Sequence, residues 1–143
     1  MMNSITSIDA NVLILLWVQD PAWNQRASSA IQAASRRGRL CVCGPVFSEL
    51  MGLPGRDSEQ LQRLLEASGI QIEWEMDEAV WQAAGLAYQG YVQRRKASGG
   101  GLPRRILTDL LIGAHASVRG YSLLSMDQDI YSAGFPELRM VFA

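Results

Sequence analysis

The sequence is poor in several residue types that common catalytic sites require. Its 143 residues include two cysteines, Cys41 and Cys43, one histidine, His115, and one lysine, Lys96. This scarcity excludes histidine-rich metal sites, and a serine–histidine or Schiff-base mechanism would rest on one residue each. The cysteines lack the C-x-x-C spacing of a zinc site. As alternate residues of a strand they would share one face, which suits a disulfide poorly, so a reducing cytoplasm is the expected location.

An excess of charge of one sign is also missing, as are long apolar runs. The 13 basic and 14 acidic residues give a net charge of −1, which excludes tight, diffuse coating of nucleic acid. The apolar run at 12–18 is far shorter than the ~20 residues that a membrane-spanning helix needs. The N-terminus lacks the positively charged start of a signal peptide. We therefore expect neither an export signal nor a membrane span.

Predicted strands and helices alternate along the chain, whose length suits one domain over residues 1–143. This order predicts parallel strands covered by helices on both faces, an α/β/α sandwich. Candidate N-caps of its helices are Asp20, Ser58 and Thr108, and Asp77 starts a long helix. The predicted strands are 4–8, 40–43, 70–74, 122–125 and 139–142, and the predicted helices start near residues 11, 21, 45, 58, 77 and 108.

Acidic residues fall where the predicted strands end. Asp9 ends the first strand, and Glu49 lies one turn into the helix after the second. Asp109 begins a later helix, and Asp127 and Asp129 follow the strand at 122–125. Each acid alone could be an ordinary turn, loop or helix-start residue. Because the carboxyl ends of parallel strands share one edge of the sheet, we expect these acids to meet there.

Clustered carboxylates predict a particular chemistry. They repel one another and raise each other's pKa unless a cation neutralises them. Oxygen ligands suit Mg²⁺ or Mn²⁺ rather than zinc. A pair of such ions can activate a water, hold a phosphodiester and stabilise the leaving oxygen. Phosphodiester cleavage is therefore the function that the acids favour.

Four segments resemble the successive acidic motifs of PIN-domain ribonucleases, and the closest likeness is to the VapC toxins of bacterial toxin–antitoxin pairs. The segments are spread over nearly the whole chain, in the family's order and spacing. Each motif is short and weakly specific, but four in order are a strong signal. They are IDANVLI at 8–14, SEL at 48–50, ILTDLLIGAHA at 106–116 and LLSMDQDIY at 123–131.

The resemblance implies a PIN-like three-layer sandwich with a five-stranded parallel sheet and a metal-dependent endoribonuclease activity. It also implies a homodimer and an antitoxin partner whose C-terminal tail covers the site. Asn11 and Ser125 match polar residues that orient the carboxylates, and Asp129 matches an often acidic position outside the direct ligands. The residues that match the acidic metal-site positions are Asp9, Glu49, Asp109 and Asp127.

Basic residues flank the glycine-rich loop that precedes Asp109. They either belong to a solvated loop or form a clamp for the RNA backbone, and the sequence leaves both interpretations open. His115 lies in an apolar helix, which favours a packed histidine over a catalytic one. The basic residues are Arg94, Arg95, Lys96, Arg104 and Arg105.

Three other functions are weaker alternatives. A phosphoacceptor signalling domain needs a lysine at a late strand end, whereas Lys96 follows a helix. A nucleotide-binding module needs a glycine-rich motif such as G-x-G-x-x-G or G-x-x-x-x-G-K-[ST], and neither is present. A catalytically inactive interaction domain has no positive support, because all four expected acids are present.

Overall fold

A computed structural model describes residues 4–100 and 106–142, and within them strands and helices alternate. Arg104 and Arg105 lie outside the described residues. In chain order the elements are β1 (Ser4–Ile8), α1 (Ala10–Trp17), α2 (Pro21–Arg37), β2 (Gly38–Cys43), α3 (Gly44–Leu50), α4 (Ser58–Ala67), β3 (Ile70–Glu73), α5 (Glu78–Ala97), α6 (Leu107–Arg119), β4 (Ser122–Ser125), α7 (Asp129–Gly134) and β5 (Met140–Phe142).

The five strands form one parallel sheet in the order β3-β2-β1-β4-β5. The chain starts in the centre, builds outward to β3, and then returns to add β4 and β5 on the other side. Because crossovers between parallel strands are right-handed, the two halves of the chain place their helices on opposite faces. The predicted α/β fold with a five-stranded parallel sheet is confirmed.

Side-chain caps explain where several helices begin. The Asp20 carboxylate accepts hydrogen bonds from the backbone N–H groups of Ala22 and Trp23, and Pro21 fills the first turn. Asp77 caps α5 in the same way. The cap at Asp20 was predicted, and the helix after Asp77 was predicted to start at that residue.

Three predicted boundaries are wrong by one or two residues. Asp57, and not Ser58, caps α4, because its carboxylate accepts from the backbone of the first turn. Thr108 does not cap α6, which begins one residue earlier at Leu107. The strand β3 ends before Trp74, because its partner strand β2 ends at Cys43 and α3 begins directly after it.

The core contains the central strands and the helix faces packed against them. Cys41 and Cys43 are buried free thiols, as their spacing predicted. His115 is fully buried, with Nε2 3.1 Å from Oε1 of Glu73 and its ring edge-on to Tyr121. The interpretation of His115 as a packed histidine is confirmed. No helix in the described part of the chain is both long and apolar enough to cross a bilayer.

Gly113 sets how closely α6 approaches α7. A Cβ atom at this position would lie 2.5 Å from Cε2 of Phe135 and 3.0 Å from Cδ1 of Tyr131. Real carbon contacts are longer than this, so any side chain would displace the two rings. The absence of a side chain at Gly113 therefore allows Tyr131 to reach the position described below.

The substitution Gly113→Ala should destabilise the fold by about 1–3 kcal/mol, because two buried rings must shift. The matched control is Gly85→Ala on α5, where no atom lies within 4 Å of an added Cβ. The control should stabilise the chain by up to about 1 kcal/mol through helix propensity. Urea unfolding of both variants measures the difference, and a stabilising Gly113→Ala would contradict the packing argument.

Candidate metal and catalytic site

The candidate site lies at the point where the strand order of the sheet reverses. The second strand of the chain, β2, pairs with one side of β1, and β4 pairs with the other side. Open parallel sheets have a crevice outside the carboxyl ends of the strands at such a point. Asp9 follows β1 directly, and its backbone N–H donates to the carbonyl of Leu124 in β4 at 2.9 Å. The first predicted acid thus lies in this crevice.

Two hydroxyl groups hold the carboxylate of Asp9. The Tyr131 hydroxyl donates to Oδ2 at 2.6 Å, and the Ser125 hydroxyl donates to the same oxygen at 2.9 Å. Asp9 is only 4% exposed, and burial raises its pKa, while the hydrogen bonds from Tyr131 and Ser125 oppose that rise. The carboxylate is therefore fixed in one orientation before any ligand arrives.

Ser125 connects Asp9 to the rest of the crevice. Its Oγ also accepts a hydrogen bond from the backbone N–H of Asp127 at 3.0 Å and from Nδ2 of Asn11 at 3.3 Å. Asn11 Oδ1 accepts from the backbone N–H of Met126 at 3.2 Å. The side chain of Asn11 thus contacts Ser125, while its backbone forms a hydrogen bond with Asp9 that lowers the pKa of that carboxyl. Together these bonds join the start of α1 to the segment after β4.

Glu49 and Asp109 come within electrostatic reach of Asp9. The pKa of Glu49 is raised to about 7, first by desolvation and then by the charges of Asp9 and Asp109. The pKa of the Tyr131 hydroxyl is raised by burial and by the same three acids. Residues that are distant in the sequence therefore meet at one edge of the sheet.

Asp109 also lines a cavity of about 360 Å³ together with Asp127 and Asp129. Asp127 and Asp129 are both exposed, and Asp129 is the first residue of α7. This short helix after β4 was not among the predicted elements. Every predicted acid thus lies either in the Asp9 crevice or on the wall of the adjoining cavity.

The acids are neighbours without forming a finished metal site. Among residues 4–100 and 106–142, no three acidic, cysteine or histidine side chains are close enough together to hold a metal ion. The donor set still fits a hard cation, because Mg²⁺ and Mn²⁺ prefer carboxylate oxygens. Burial raises the pKa of Glu49 first and the charges of Asp9 and Asp109 raise it further, and a cation would relieve the repulsion.

Tyr131 is the residue of this site that sequence reasoning missed. It is fully buried and lies in α7, a helix of six residues. A helix this short has too few turns to show a hydrophobic period. The sequence did offer one signal, a tyrosine four residues after Asp127. A tyrosine buried at that point needs a hydrogen-bond partner for its hydroxyl, and a nearby carboxylate could be that partner.

The basic residues near the cavity have different surroundings. Arg94 lines the cavity. The Arg95 guanidinium donates to the carbonyl of Gly100 and lies 5.9 Å from the ring centroid of Tyr91, so it is engaged at the end of α5. Lys96 is exposed. Of the five predicted RNA contacts, Arg94 is the one among the described residues that lines the cavity with Asp109, Asp127 and Asp129.

Comparison with known protein families identifies the class. A family model described as "PIN domain" matches residues 7–136. This match includes every acid of the candidate site and covers most of the chain. The chain belongs to the PIN-domain family, as its four motifs indicated.

Solved structures with the same fold come from bacterial toxin–antitoxin systems. VapBC-1 from nontypeable Haemophilus influenzae is 18% identical, with a TM-score of 0.64 over 96% of this chain and 97% of that one. A toxin–antitoxin complex from Klebsiella pneumoniae is 21% identical, with a TM-score of 0.64 over 95% of each chain.

VapBC2 from Rickettsia felis, solved bound to a DNA fragment from its promoter, is 16% identical. Its TM-score is 0.62 over 96% of this chain and 98% of that one. No curated protein matches the sequence significantly. At these identities the structural likeness establishes the fold that this chain shares with the VapC and FitB toxins.

The substitution Tyr131→Phe should destabilise the protein by about 1–3 kcal/mol, because a buried carboxylate loses a hydrogen-bond donor. Tyr88→Phe is the matched control, since the recorded contact of Tyr88 is a ring contact with Tyr91. The control should change stability by no more than about 0.5 kcal/mol. Urea unfolding at neutral pH compares them, and equal effects would show that the hydroxyl on Asp9 contributes nothing.

Glu49→Gln should stabilise the metal-free protein at pH 8. The folded-state pKa of Glu49 lies above its ordinary value of 4.5, so its contribution to stability is present below pH 4.5 and is lost as pH rises toward about 7. Glu49 is exposed, and solvent screening limits the gain to about 1 kcal/mol or less.

Urea unfolding in the presence of a chelator, at pH 8 and at pH 4.5, measures this effect. The gain should shrink at the lower pH. Glu137→Gln, at an exposed loop position, serves as the control. A gain from Glu49→Gln that is independent of pH would show that charge repulsion is not its cause.

Proposed function

We propose that this protein is a metal-dependent endoribonuclease toxin of the VapC type. The observation that carries the proposal is the buried Asp9 carboxylate, fixed by two hydroxyl donors beside acids from three other segments. A buried, oriented carboxylate among like charges is costly to the fold, and a cation-dependent activity accounts for that cost. Membership of the PIN-domain family supports the same reaction class, because its members are typically nucleases.

In the proposed site Asp9, Asp109 and Asp127 would hold Mg²⁺ or Mn²⁺, and Glu49 would help to bind the ion and to place the attacking water. The cation would supply positive charge to the phosphodiester and lower the pKa of a bound water. Asp129 lines the cavity together with Asp109 and Asp127 and would act from outside the direct ligands. Ser125 and Tyr131 keep Asp9 oriented, and Asn11 supports Ser125.

The reaction is hydrolysis of an RNA phosphodiester bond. The water oxygen forms a bond to phosphorus, the bond from phosphorus to one flanking nucleotide oxygen breaks, and a proton is transferred from the water. The leaving oxygen ends as a hydroxyl group. The hydrogen bonds from Ser125 and Tyr131 favour the charged form of Asp9, and the cation would supply the positive charge that favours the charged form of Glu49.

A cognate antitoxin and a second copy of the chain are the proposed protein partners. Structures with this fold include a toxin–antitoxin complex from Klebsiella pneumoniae and VapBC-1 from Haemophilus influenzae. A VapB-like antitoxin that covers the acidic crevice would inhibit the activity. Co-expression with a small protein encoded beside this one would reveal such a partner.

Purified protein should cleave RNA in Mg²⁺ or Mn²⁺ and lose the activity in a chelator. Asp9→Asn should reduce cleavage by about 100-fold or more, because it removes a charged cation ligand and keeps the side-chain shape. Asp57→Asn is the control: it changes an exposed acid to another good N-cap residue, away from the site. Undiminished cleavage by Asp9→Asn, with the fold intact, would reject the proposed site.

A further inference from the structure

One edge of the sheet is open and borders a cavity that the proposed hydrolysis does not use. The strand β3 is the last strand on its side of the sheet, and β2 is its partner within the described part of the chain. Backbone N–H and C=O groups on the outer side of an edge strand are a template on which another extended chain can pair. A cavity of about 570 Å³ lies beside this edge, and all four residues of β3, Ile70–Glu73, line it. Space and open hydrogen-bonding groups therefore occur together.

The helix α4 forms the other wall of this cavity. Gln62 and Glu66 of α4 line it, and Gly69 lies at the turn that leads into β3. The four residues of β3 span about 13 Å at the usual rise of a strand. Because the cavity borders the whole strand, it can receive an extended segment of similar length.

An exposed aromatic ring lies at the end of this edge. Trp74 directly follows β3, is 55% exposed and lines the same cavity. Its ring packs edge-on against the buried ring of Phe47, with 4.8 Å between the two centroids. An aromatic residue that is both exposed and held by a buried neighbour is a suitable anchor for an apolar side chain of a partner. The edge thus offers an apolar contact in addition to its backbone groups.

The cavity beside β3 carries negative charge. Glu66 and Glu73 line it, and no basic residue is among the described residues of its lining. The Tyr121 hydroxyl donates to Oε2 of Glu73 at 2.8 Å, and Nε2 of His115 lies 3.1 Å from Oε1. Burial lowers the pKa of His115, so its imidazole is neutral at pH 7 and does not cancel the charge of Glu73. A segment with positive side chains would meet opposite charge here.

The same charges disfavour a second copy of this chain as the occupant. Two copies that paired through β3 would bring together Glu66, Glu73 and the exposed Glu75 of both edges. Like charges that face each other across a strand pair are destabilising. Arg119, whose guanidinium donates to the carbonyl of Glu75, offsets only part of this charge. A basic segment of another protein therefore fits the edge better.

We propose that the open edge of β3 binds an extended, lysine- or arginine-containing segment of a partner protein, which pairs with β3 as an added strand. In this mode of recognition main-chain hydrogen bonds supply affinity and side-chain contacts supply specificity. Glu66 and Glu73 would select the basic side chains, and Trp74 would contact an apolar one. The inference is independent of the proposed nuclease function, because β3 contributes none of the acids of the candidate metal site.

The test measures fluorescence anisotropy of two labelled peptides, TKVRVKT and TEVEVET, with the whole chain. The basic peptide should bind about 10-fold more tightly than the acidic one at low salt. Glu66→Lys should weaken binding of the basic peptide by about 3-fold or more and strengthen binding of the acidic one, because attraction becomes repulsion. Glu137→Lys makes the same charge change at an exposed position between α7 and β5, and should leave both affinities unchanged.

A second measurement tests the pairing of backbone groups. N-methylation of alternate residues removes the N–H donors along one side of the basic peptide. Methyl groups on one set of alternate residues should abolish binding, whereas methyl groups on the other set should have a much smaller effect. At saturating peptide, amide hydrogen exchange at residues 70–74 should slow, and exchange in β5, the opposite edge strand, should not change.

The outcomes that would overturn the proposal are specific. They are no binding of the basic peptide, equal binding of both peptides, a Glu66→Lys variant with unchanged preference, equal effects of the two methylation patterns, or unchanged exchange at 70–74. Protection at 70–74 that increases with protein concentration in the absence of peptide would show that a second copy occupies the edge, which also contradicts the proposal. The nuclease is tested separately, by RNA cleavage with Asp9→Asn.

Discussion

The paired hydroxyl donors on Asp9 are the interaction on which the geometry of the candidate site depends. Burial alone would make this carboxylate costly to keep charged, and the bonds from Ser125 and Tyr131 offset part of that cost. These donors come from β4 and α7, late elements of the chain, while Asp9 follows the first strand. Pairing of β1 with β4 at the centre of the sheet therefore places the acid and its two donors together.

Much of this arrangement could be predicted, because buried parallel strands and the polar residues at their ends are recognisable in a sequence. Short apolar runs followed by acids located Asp9 and Asp127, and the alternation of elements implied a shared edge of the sheet. Tyr131 escaped prediction because its role depends on a partner 122 residues away and on a helix too short to show a period. The charge pattern likewise could not show that the Arg95 guanidinium donates to the carbonyl of Gly100, just beyond the end of its helix.

The gathered acids illustrate how the candidate site opposes the stability of its own fold. Glu49 is disfavoured in its charged form by burial and by Asp9 and Asp109, although nothing in its local sequence requires an acid there. Gly113 shows the opposite case, in which a residue with poor helix propensity is needed for close packing against Tyr131. At both positions the residue is not the one that would give the most stable fold. Both residues lie at or beside the crevice of Asp9.

The long sequence separation between Asp9 and its donors has a consequence for the protein during its synthesis. The donors follow Asp9 by 116 and 122 residues, in a chain of 143. A nascent chain that has not yet released β4 and α7 from the ribosomal exit tunnel cannot assemble the crevice. Under the proposed function, a nascent polypeptide without β4 and α7 is thus harmless to the message and the ribosome that are producing it, and the capacity to cut RNA arises only after both elements have emerged.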